Sequence, residues 1–271
     1  MAVAGGLGTS RKMQLHDLVS GIGVGLIGGF TSGLLGVSPG GALVVFSVFL
    51  LGAEQHVAQG ISLAAQVPPT SASGIKRYLA KGSRSPLRWL VLLTIGFVGG
   101  GIVGAYAASF VSRLLLQWTY VGYLVGLDAM LIARGARTVA DQDQPATKHL
   151  HWAALLTIGL FAGLSSGFIG IGGGLATVVG LHVVLGVPQR QAQMISLILS
   201  LIPTTIPSAW VYWSQGWTWS WAALVGVIVG LVIGTDLGAR LANRINSRAL
   251  YATLIFFVSI MAAYMTLKAL S

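Results

Sequence analysis

Ser32-Gly33-Leu34-Leu35-Gly36-Val37 recurs in the same chain as Ser166-Gly167-Phe168-Ile169-Gly170-Ile171, 134 positions later. At the same offset Gly40 is matched by Gly174, so each copy runs into a second group of glycines. Each copy ends one apolar segment and precedes another. Because glycine permits backbone conformations that interrupt a helix, each copy indicates a break between two helices.

The duplication extends through both halves of the chain at this offset without a gap. Further identical pairs are Leu51-Gly52 with Leu185-Gly186, Ala58 with Ala192, Ser62-Leu63 with Ser196-Leu197, Pro69-Thr70 with Pro203-Thr204, Tyr78 with Tyr212, Gly82 with Gly216, Gly96 with Gly230, Gly100 with Gly234, and Gly104-Ala105 with Gly238-Ala239. Chance does not keep one register over so many positions, so the chain contains two copies of one unit.

The amino-acid composition indicates that these two units lie in a membrane rather than in water. Of 271 residues 55% are hydrophobic and 8% charged, with mean hydropathy +0.82, whereas soluble domains carry about 25% charged residues. This predicts an all-α polytopic membrane protein surrounded by lipids. The net charge of +10 comes from Lys and Arg between apolar segments, which argues against nucleic acid as a partner. The absence of cysteine excludes disulfides and thiolate metal sites.

Each half contains five apolar segments, of which the second is short. Apolar runs of 10–14 residues are more often re-entrant or broken than fully spanning. The predicted organisation is an N-terminal extension (1–16), a first membrane repeat (17–134), a cytoplasmic linker (135–150) and a second membrane repeat (151–271). The predicted segments are 17–36, 40–52, 56–79, 88–111 and 116–134, then 151–170, 174–186, 190–213, 219–242 and 249–268.

Positive charge sets the predicted orientation. If the basic loop at 76–88 is cytoplasmic and every segment crosses once, 12 of the 16 Lys and Arg residues are cytoplasmic, in agreement with the positive-inside rule. Five crossings per unit invert the second half relative to the first. Inverted repeats with discontinuous helices recur in transporters, whose substrates bind at the repeat interface. The sequence therefore predicts two inverted repeats with short or broken helices at the glycine-rich breaks.

The two breaks are the first candidate binding site. A helix that begins at membrane depth presents free N–H groups and a positive dipole end, which suits an anion. Tight surface turns, or glycines that only let helices pack, are the alternative. The candidate residues are Ser38, Gly40 and Gly41 in the first break and Gly172, Gly173 and Gly174 in the second.

Polar stripes on the third and eighth segments are the second candidate. Their spacings of three and four place them on one helical face, which faces either a polar cavity or another helix through hydrogen bonds. Neighbouring prolines, Pro68, Pro69, Pro203 and Pro207, are expected to kink both helices. The candidate residues are Gln59, Ser62, Gln66 and Thr70 in the third segment and Gln193, Ser196, Ser200 and Thr204 in the eighth.

Few ionisable residues lie within the apolar segments. Asp236 precedes Arg240 by one helical turn, which favours an ion pair. His182 lies near the second break. It either binds an anion or relays a proton, or it is a hydrogen-bonded packing histidine. Asp128 lies near a helix end. No catalytic, metal or cofactor motif appears, so we expect a protein that is not an enzyme. The four-residue glycine ladders predict close helix packing.

The two Ser-Gly-x-x-Gly-x breaks, the Ala-x-x-x-Ser-Leu signature after each (58–63 and 192–197) and the Gly-x-x-x-Gly-x-x-x-Gly-Ala helices resemble the sulfite exporter TauE/SafE family of membrane permeases. The resemblance covers almost the whole chain. It implies outward transport of sulfite, sulfoacetate or related organosulfonates across a bacterial inner membrane. The first break departs from the family, reading Gly-Val-Ser-Pro-Gly-Gly where Gly-Ile-Gly-Gly-Gly is usual and is present in the second copy.

These observations together predict a secondary transporter that exports a small sulfur-containing anion by alternating access. Proton coupling is an open question, as is the oligomeric state. An anion channel with the same architecture is the alternative, which saturable, gradient-coupled flux would exclude. An intramembrane enzyme or an assembly scaffold fits the duplicated breaks least well.

Overall fold

The computed structural model describes residues 4–35, 38–68, 85–138, 150–202, 204–242, 244–245 and 247–270. Within these residues the regular secondary structure is entirely helical, which confirms the predicted all-α class. The helices are α1 (Ala4–Leu35), α2 (Gly40–Leu50), α3 (Gln55–Ala65), α4 (Leu87–Ser109), α5 (Arg113–Thr138), α6 (Trp152–Ile169), α7 (Gly174–Val179), α8 (Gln189–Leu201), α9 (Ile206–Ser214), α10 (Trp221–Ala242) and α11 (Ser247–Leu270).

Six of these helices contain a stretch long and apolar enough to cross a membrane. About 20 apolar residues are needed to cross a hydrocarbon core of about 30 Å. The chain is therefore a multi-pass membrane protein, as its composition predicts. The apolar stretches are Gln14–Leu35, Leu87–Ser109, Arg113–Ala133, Trp152–Ile169, Trp221–Ala242 and Ala252–Leu270.

The helices that follow the two breaks are short and lie at the centre. Helix α2 has 11 residues, which at 1.5 Å per residue give about 16 Å, half of a hydrocarbon core. Helix α7 has six residues, all buried, and continues as a π-helical turn over Gly180–Val184. The short apolar segments predicted after the breaks are confirmed as short helices, and the long helices surround them.

Two glycine-lined seams join the halves. Helix α1 packs along α10, and α6 packs along α4. At each seam glycine, as the ladders predict, brings the helix backbones into contact, because a Cβ would meet backbone atoms of the other helix. These glycines are Gly21, Gly25, Gly29 and Gly33 against Gly226, Gly230, Gly234 and Gly238, and Gly159, Gly163 and Gly167 against Gly96, Gly100 and Gly104.

The two seams are equivalent. Gly25 faces the carbonyl of Val227, and the residues at the 134-residue offset, Gly159 and Leu93, make the same contact. Gly230 faces the carbonyl of Ile22, as Gly96 faces that of Leu156. The two halves therefore exchange equivalent helices. Whether they also cross the membrane in opposite directions stays a prediction.

The eighth predicted segment, 190–213, is not one kinked helix. Helix α8 ends at Leu201 and α9 begins at Ile206, with Pro207 in the first turn of α9. A proline there needs no backbone N–H donor, so the chain starts a new helix rather than bending the old one. In the first half α3 ends at Ala65, and the rest of the third predicted segment from residue 69, including Thr70, lies outside the described residues.

Helix ends differ from the predicted segments at other places too. Helix α1 begins at Ala4, so most of the predicted N-terminal extension continues this helix. Helix α5 continues to Thr138, into the predicted linker. The apolar pattern marks the part of a helix that suits lipid, and the helix itself continues into polar sequence.

Candidate functional site

The two breaks meet each other in the interior. Gly40 lies against the backbone carbonyl of Ile171, and Gly174 lies against the backbone of Ser38. A Cβ at Gly40 would also come within 2.8 Å of the Gln66 side-chain nitrogen. The structure thus brings the predicted break residues of both halves into one cluster.

Glycine is required in the second break by backbone conformation. Gly170 ends α6 with φ +72°, and Gly172 and Gly173 follow with φ +77° and +66°. Side chains strain the backbone in this left-handed region. A Cβ on Gly172 would also overlap the Gln66 side-chain oxygen and lie 2.5 Å from Ser38 Oγ. The second break therefore folds tightly around these two polar side chains.

Ser38 and Gln66 form a buried hydrogen-bonded pair between the breaks. Ser38 Oγ donates to Gln66 Oε1 at 2.5 Å, and Gln66 Nε2 donates to the Ser62 carbonyl at 2.9 Å. All three residues are buried. The departure from the family pattern at Ser38 thus supplies a hydroxyl where the second copy has Gly172.

The Ser62 hydroxyl lies between both breaks. Its Oγ is 2.7 Å from the Gly170 carbonyl oxygen and 3.2 Å from that of Gly40. The equivalent residue of the second half, Ser196, donates to the Gly174 carbonyl at 3.3 Å. The same serine of each repeat therefore binds a carbonyl where a short helix begins.

Two glutamines also reach the breaks. Gln193 Nε2 donates to the carbonyl of Leu35, the last residue of α1, at 2.7 Å. Gln59 lies against Gly170, where a Cβ would be 2.7 Å from the Gln59 Cα. Both glutamines are buried. Each glutamine therefore lies where the first helix of the opposite half ends.

Two buried tyrosines support the cluster, and neither is among the predicted site residues. Tyr120 donates to the Gly41 carbonyl at 2.8 Å, and Tyr212 donates to Gln59 Oε1 at 2.8 Å. The Tyr212 hydroxyl oxygen also lies 3.0 Å from the Gly167 carbonyl oxygen. The repeat alignment gives a signal for Tyr212, which matches Tyr78 in the other half, whereas no sequence signal marks Tyr120.

Three of the predicted site residues bond to carbonyls close to them in the chain. Ser200 Oγ donates to the Ser196 carbonyl of its own helix, and Thr204 Oγ1 donates to the Leu199 carbonyl. His182 Nδ1 lies 2.8 Å from the Val187 carbonyl oxygen. Because a carbonyl oxygen only accepts, Nδ1 is the hydrogen-bond donor. These bonds are local and do not involve the breaks.

The two acidic residues singled out by sequence have partners. Arg240 Nη2 and Asp236 Oδ2 are 2.5 Å apart, so the predicted ion pair is confirmed. Asp128 accepts a hydrogen bond of 2.5 Å from Ser259 of α11. In the part of the chain that the structure describes, no group of three or more His, Asp or Glu side chains is placed to hold a metal ion.

The chemistry of the cluster is that of a neutral hydrogen-bonding centre. The first residues of α2 and α7 are buried, and neither helix is capped by a side chain or carries an acidic residue in its first turn. Their N-terminal N–H groups carry partial positive charge. A small, largely apolar pocket lies beside this centre. Its lining residues are Thr31, Ser38, Gly41, Ala42, Leu175, Leu254, Phe257, Val258 and Met261.

Comparison with known proteins gives a consistent result. The sequence profile described as "Sulfite exporter TauE/SafE" matches residues 21–265. Two proteins of Xylella fastidiosa, from strains 9a5c and Temecula1 / ATCC 700964, are 28% and 27% identical to the chain over 194 residues. Both alignments cover 69% of this chain and 70% of the relative, and both relatives carry the name "Probable membrane transporter protein".

Proposed function

Because the chain belongs to the sulfite exporter TauE/SafE family of membrane transporters, we propose that it exports small sulfur-containing anions such as sulfite or sulfoacetate by alternating access. The binding site in this proposal is the place where the two breaks meet. Its residues are Ser38, Gly40, Gly41, Gln59, Ser62, Gln66, Gly172, Gly173, Gly174, Gln193 and Ser196.

The observation that carries the proposal is the buried contact of Ser38, Ser62 and Gln66 with both breaks. An anion that leaves water needs hydrogen-bond donors to offset its lost hydration. Hydroxyl, amide and helix N-terminal N–H groups supply such donors without a full positive charge. None of these three residues is acidic, so no carboxylate among them opposes an anion.

A carrier accounts for the closed contact between the breaks better than a channel does. Gly40 and Gly174 contact the opposite break directly, so an anion enters only when the breaks separate. Movement of one repeat against the other around a fixed site is the usual means of alternating access.

The test is a flux assay on the purified protein in liposomes. Uptake of labelled sulfite, sulfoacetate, taurine and chloride is measured with and without an imposed pH gradient. The proposal expects saturable flux of a sulfur-containing anion, and a response to the pH gradient would add proton coupling. Non-saturating flux that prefers chloride would contradict the proposal and favour an anion channel.

A further inference from the structure

Four buried polar residues form a line along α3, which we name the α3 polar row: Gln55, Gln59, Ser62 and Gln66, the last being the C-cap. Their spacings of four, three and four place them on one helical face. They are 1%, 0%, 0% and 3% exposed, respectively. The row therefore runs through the interior for the whole length of the helix.

The two ends of the row differ in their hydrogen bonding. At the inner end Ser62 and Gln66 bond to the breaks and to each other. At the outer end both Gln55 side-chain atoms are buried without a hydrogen-bond partner, as is Gln59 Nε2. A buried polar group without a partner costs about 1–3 kcal/mol. Stability alone therefore does not explain the glutamine at position 55.

The same residue occupies the equivalent position of the other repeat. Gln189, at the 134-residue offset from Gln55, begins α8, and Gln193 corresponds to Gln59. Two of the three residues between them have diverged, since His56 and Val57 correspond to Arg190 and Gln191. An amide is thus present at both positions of both repeats, although two of the three residues between them differ.

The outer end of the row leads toward an exposed charged pair. Glu54, the N-cap of α3, lies 3.9 Å from Arg113 of α5, and both side chains are largely exposed. Gln55 lies next to this pair in the sequence. Seven residues of helix separate Gln55 from Ser62, a distance of about 10 Å. The row therefore connects the breaks to the end of α3 where this exposed ion pair lies.

Aromatic side chains of the second half cover the row. The Trp217 ring stacks on His56 with ring centroids 4.1 Å apart and lies 5.5 Å from the ring of Tyr212. Tyr212 in turn bonds to Gln59 Oε1. Since these rings belong to one repeat and the row to the other, movement between the repeats would uncover the row.

We propose that Gln55 and Gln59 form a second binding station for the transported anion, which begins beside the second break at Gln59 and ends at Gln55, about 10 Å along α3 from Ser62. This inference rests on the proposed function. The Nε2–H groups of both amides donate to oxygens of a small sulfur oxyanion that has left Ser62 and Gln66. Neutral amides bind such an anion without trapping it, so it passes on to the surface.

The test combines stability with transport in Gln55→Met, which keeps side-chain length and removes both unpartnered polar atoms. We expect a higher unfolding temperature in detergent and a roughly tenfold lower rate of sulfur-anion uptake at sub-saturating concentration, as for one lost hydrogen bond to a charged group. Gln55→Leu removes the same two polar atoms and, measured in parallel, should lower uptake similarly, so the test does not depend on recovery of one variant.

The matched control is Ser47→Ala. Ser47 is a fully buried α2 residue outside the row, and its Oγ also lacks a hydrogen-bond partner. This variant should be at least as stable as the wild type and should transport normally. Wild-type uptake in both Gln55 variants, with uptake lost in Ser62→Ala, would overturn the station and leave the central site standing. Absence of sulfur-anion flux in the wild type would instead contradict the proposed function.

Discussion

At the scale of single residues, the centre of the protein depends on hydroxyl groups that lie between backbone carbonyls. Ser62 Oγ has one hydrogen and two carbonyl oxygens within 3.2 Å, one from each break. Only one of the two bonds can be made at full strength at a time. When the breaks separate, this hydroxyl is free to donate to a ligand, and no buried group of the serine is left without a partner.

Ser62→Ala is therefore expected to weaken anion binding more than folding. Loss of one donor to a charged ligand corresponds to about 1.5–3 kcal/mol, or a roughly tenfold or greater rise in KM. Concentration-dependent flux in liposomes measures this change. Ser47→Ala again supplies the matched serine control, and an unchanged KM in Ser62→Ala would exclude Ser62 as an anion ligand.

Gly172→Val should abolish transport while the protein still inserts into the membrane. The new side chain would overlap Gln66 and Ser38 at the meeting point of the breaks, and the left-handed backbone at φ +77° adds strain of about 1–3 kcal/mol. Flux and membrane recovery are measured together. Gly122→Val is the control, since Gly122 is an exposed residue of α5 at which a Cβ would meet no heavy atom within 4 Å. Wild-type flux in Gly172→Val would contradict the proposed site.

At the scale of helices, the seams show what small residues do in a membrane. Between lipid-solvated helices, close backbone packing replaces the hydrophobic effect as the source of association. Gly100 faces the Leu160 carbonyl, whereas a methyl group added at Gly99, one position earlier on α4, would meet no heavy atom within 4 Å. Adjacent glycines of one helix therefore have different roles.

Gly100→Ala should lower stability, and Gly99→Ala should not. The first methyl group meets a backbone oxygen that cannot move aside, which costs about 1–3 kcal/mol. The second methyl group reduces backbone freedom in the unfolded chain and is expected to be neutral or stabilising by up to about 1 kcal/mol. Unfolding temperature in one detergent is the measurement. Equal effects of the two substitutions would contradict the packing role of the α4–α6 seam.

The sequence predicts the long helices well and the interrupted ones poorly. The apolar pattern predicts 88–111 and 219–242, and the helices span Leu87–Ser109 and Trp221–Ala242. Where a helix is interrupted, as between α8 and α9, the helices on both sides are apolar, so the hydropathy pattern does not show the interruption. The prolines mark the place, but proline allows either a kink or a break.

The sequence identifies several residues of the candidate site but not the contacts between them. Glycine clusters and polar stripes in apolar sequence point to Ser62, Gln66 and Gly172 individually. That Ser38 bonds to Gln66 in front of Gly172 depends on how the two halves are placed against each other. Tyr120 reaches the first break from α5 and lies within an ordinary apolar helix, so no local pattern distinguishes it.

At the scale of the whole molecule, the predicted opposite orientation of the repeats is directly testable. Pro86 and Ser220 are equivalent, exposed residues that precede α4 and α10, and the chain has no cysteine. In whole cells, Ser220→Cys should react with a membrane-impermeant maleimide added outside. Pro86→Cys should react only after the cytoplasmic side is opened. Labelling of both variants from one side would contradict inversion.

The exchange of helices between the halves also bears on how such a protein could arise. Helix α1 packs along α10 of the other repeat, and α6 packs along α4 of the other repeat. An ancestral polypeptide with one repeat could bury these glycine faces only by assembling as an intertwined homodimer. Fusion of two gene copies into one chain then removes any dependence of assembly on protein concentration.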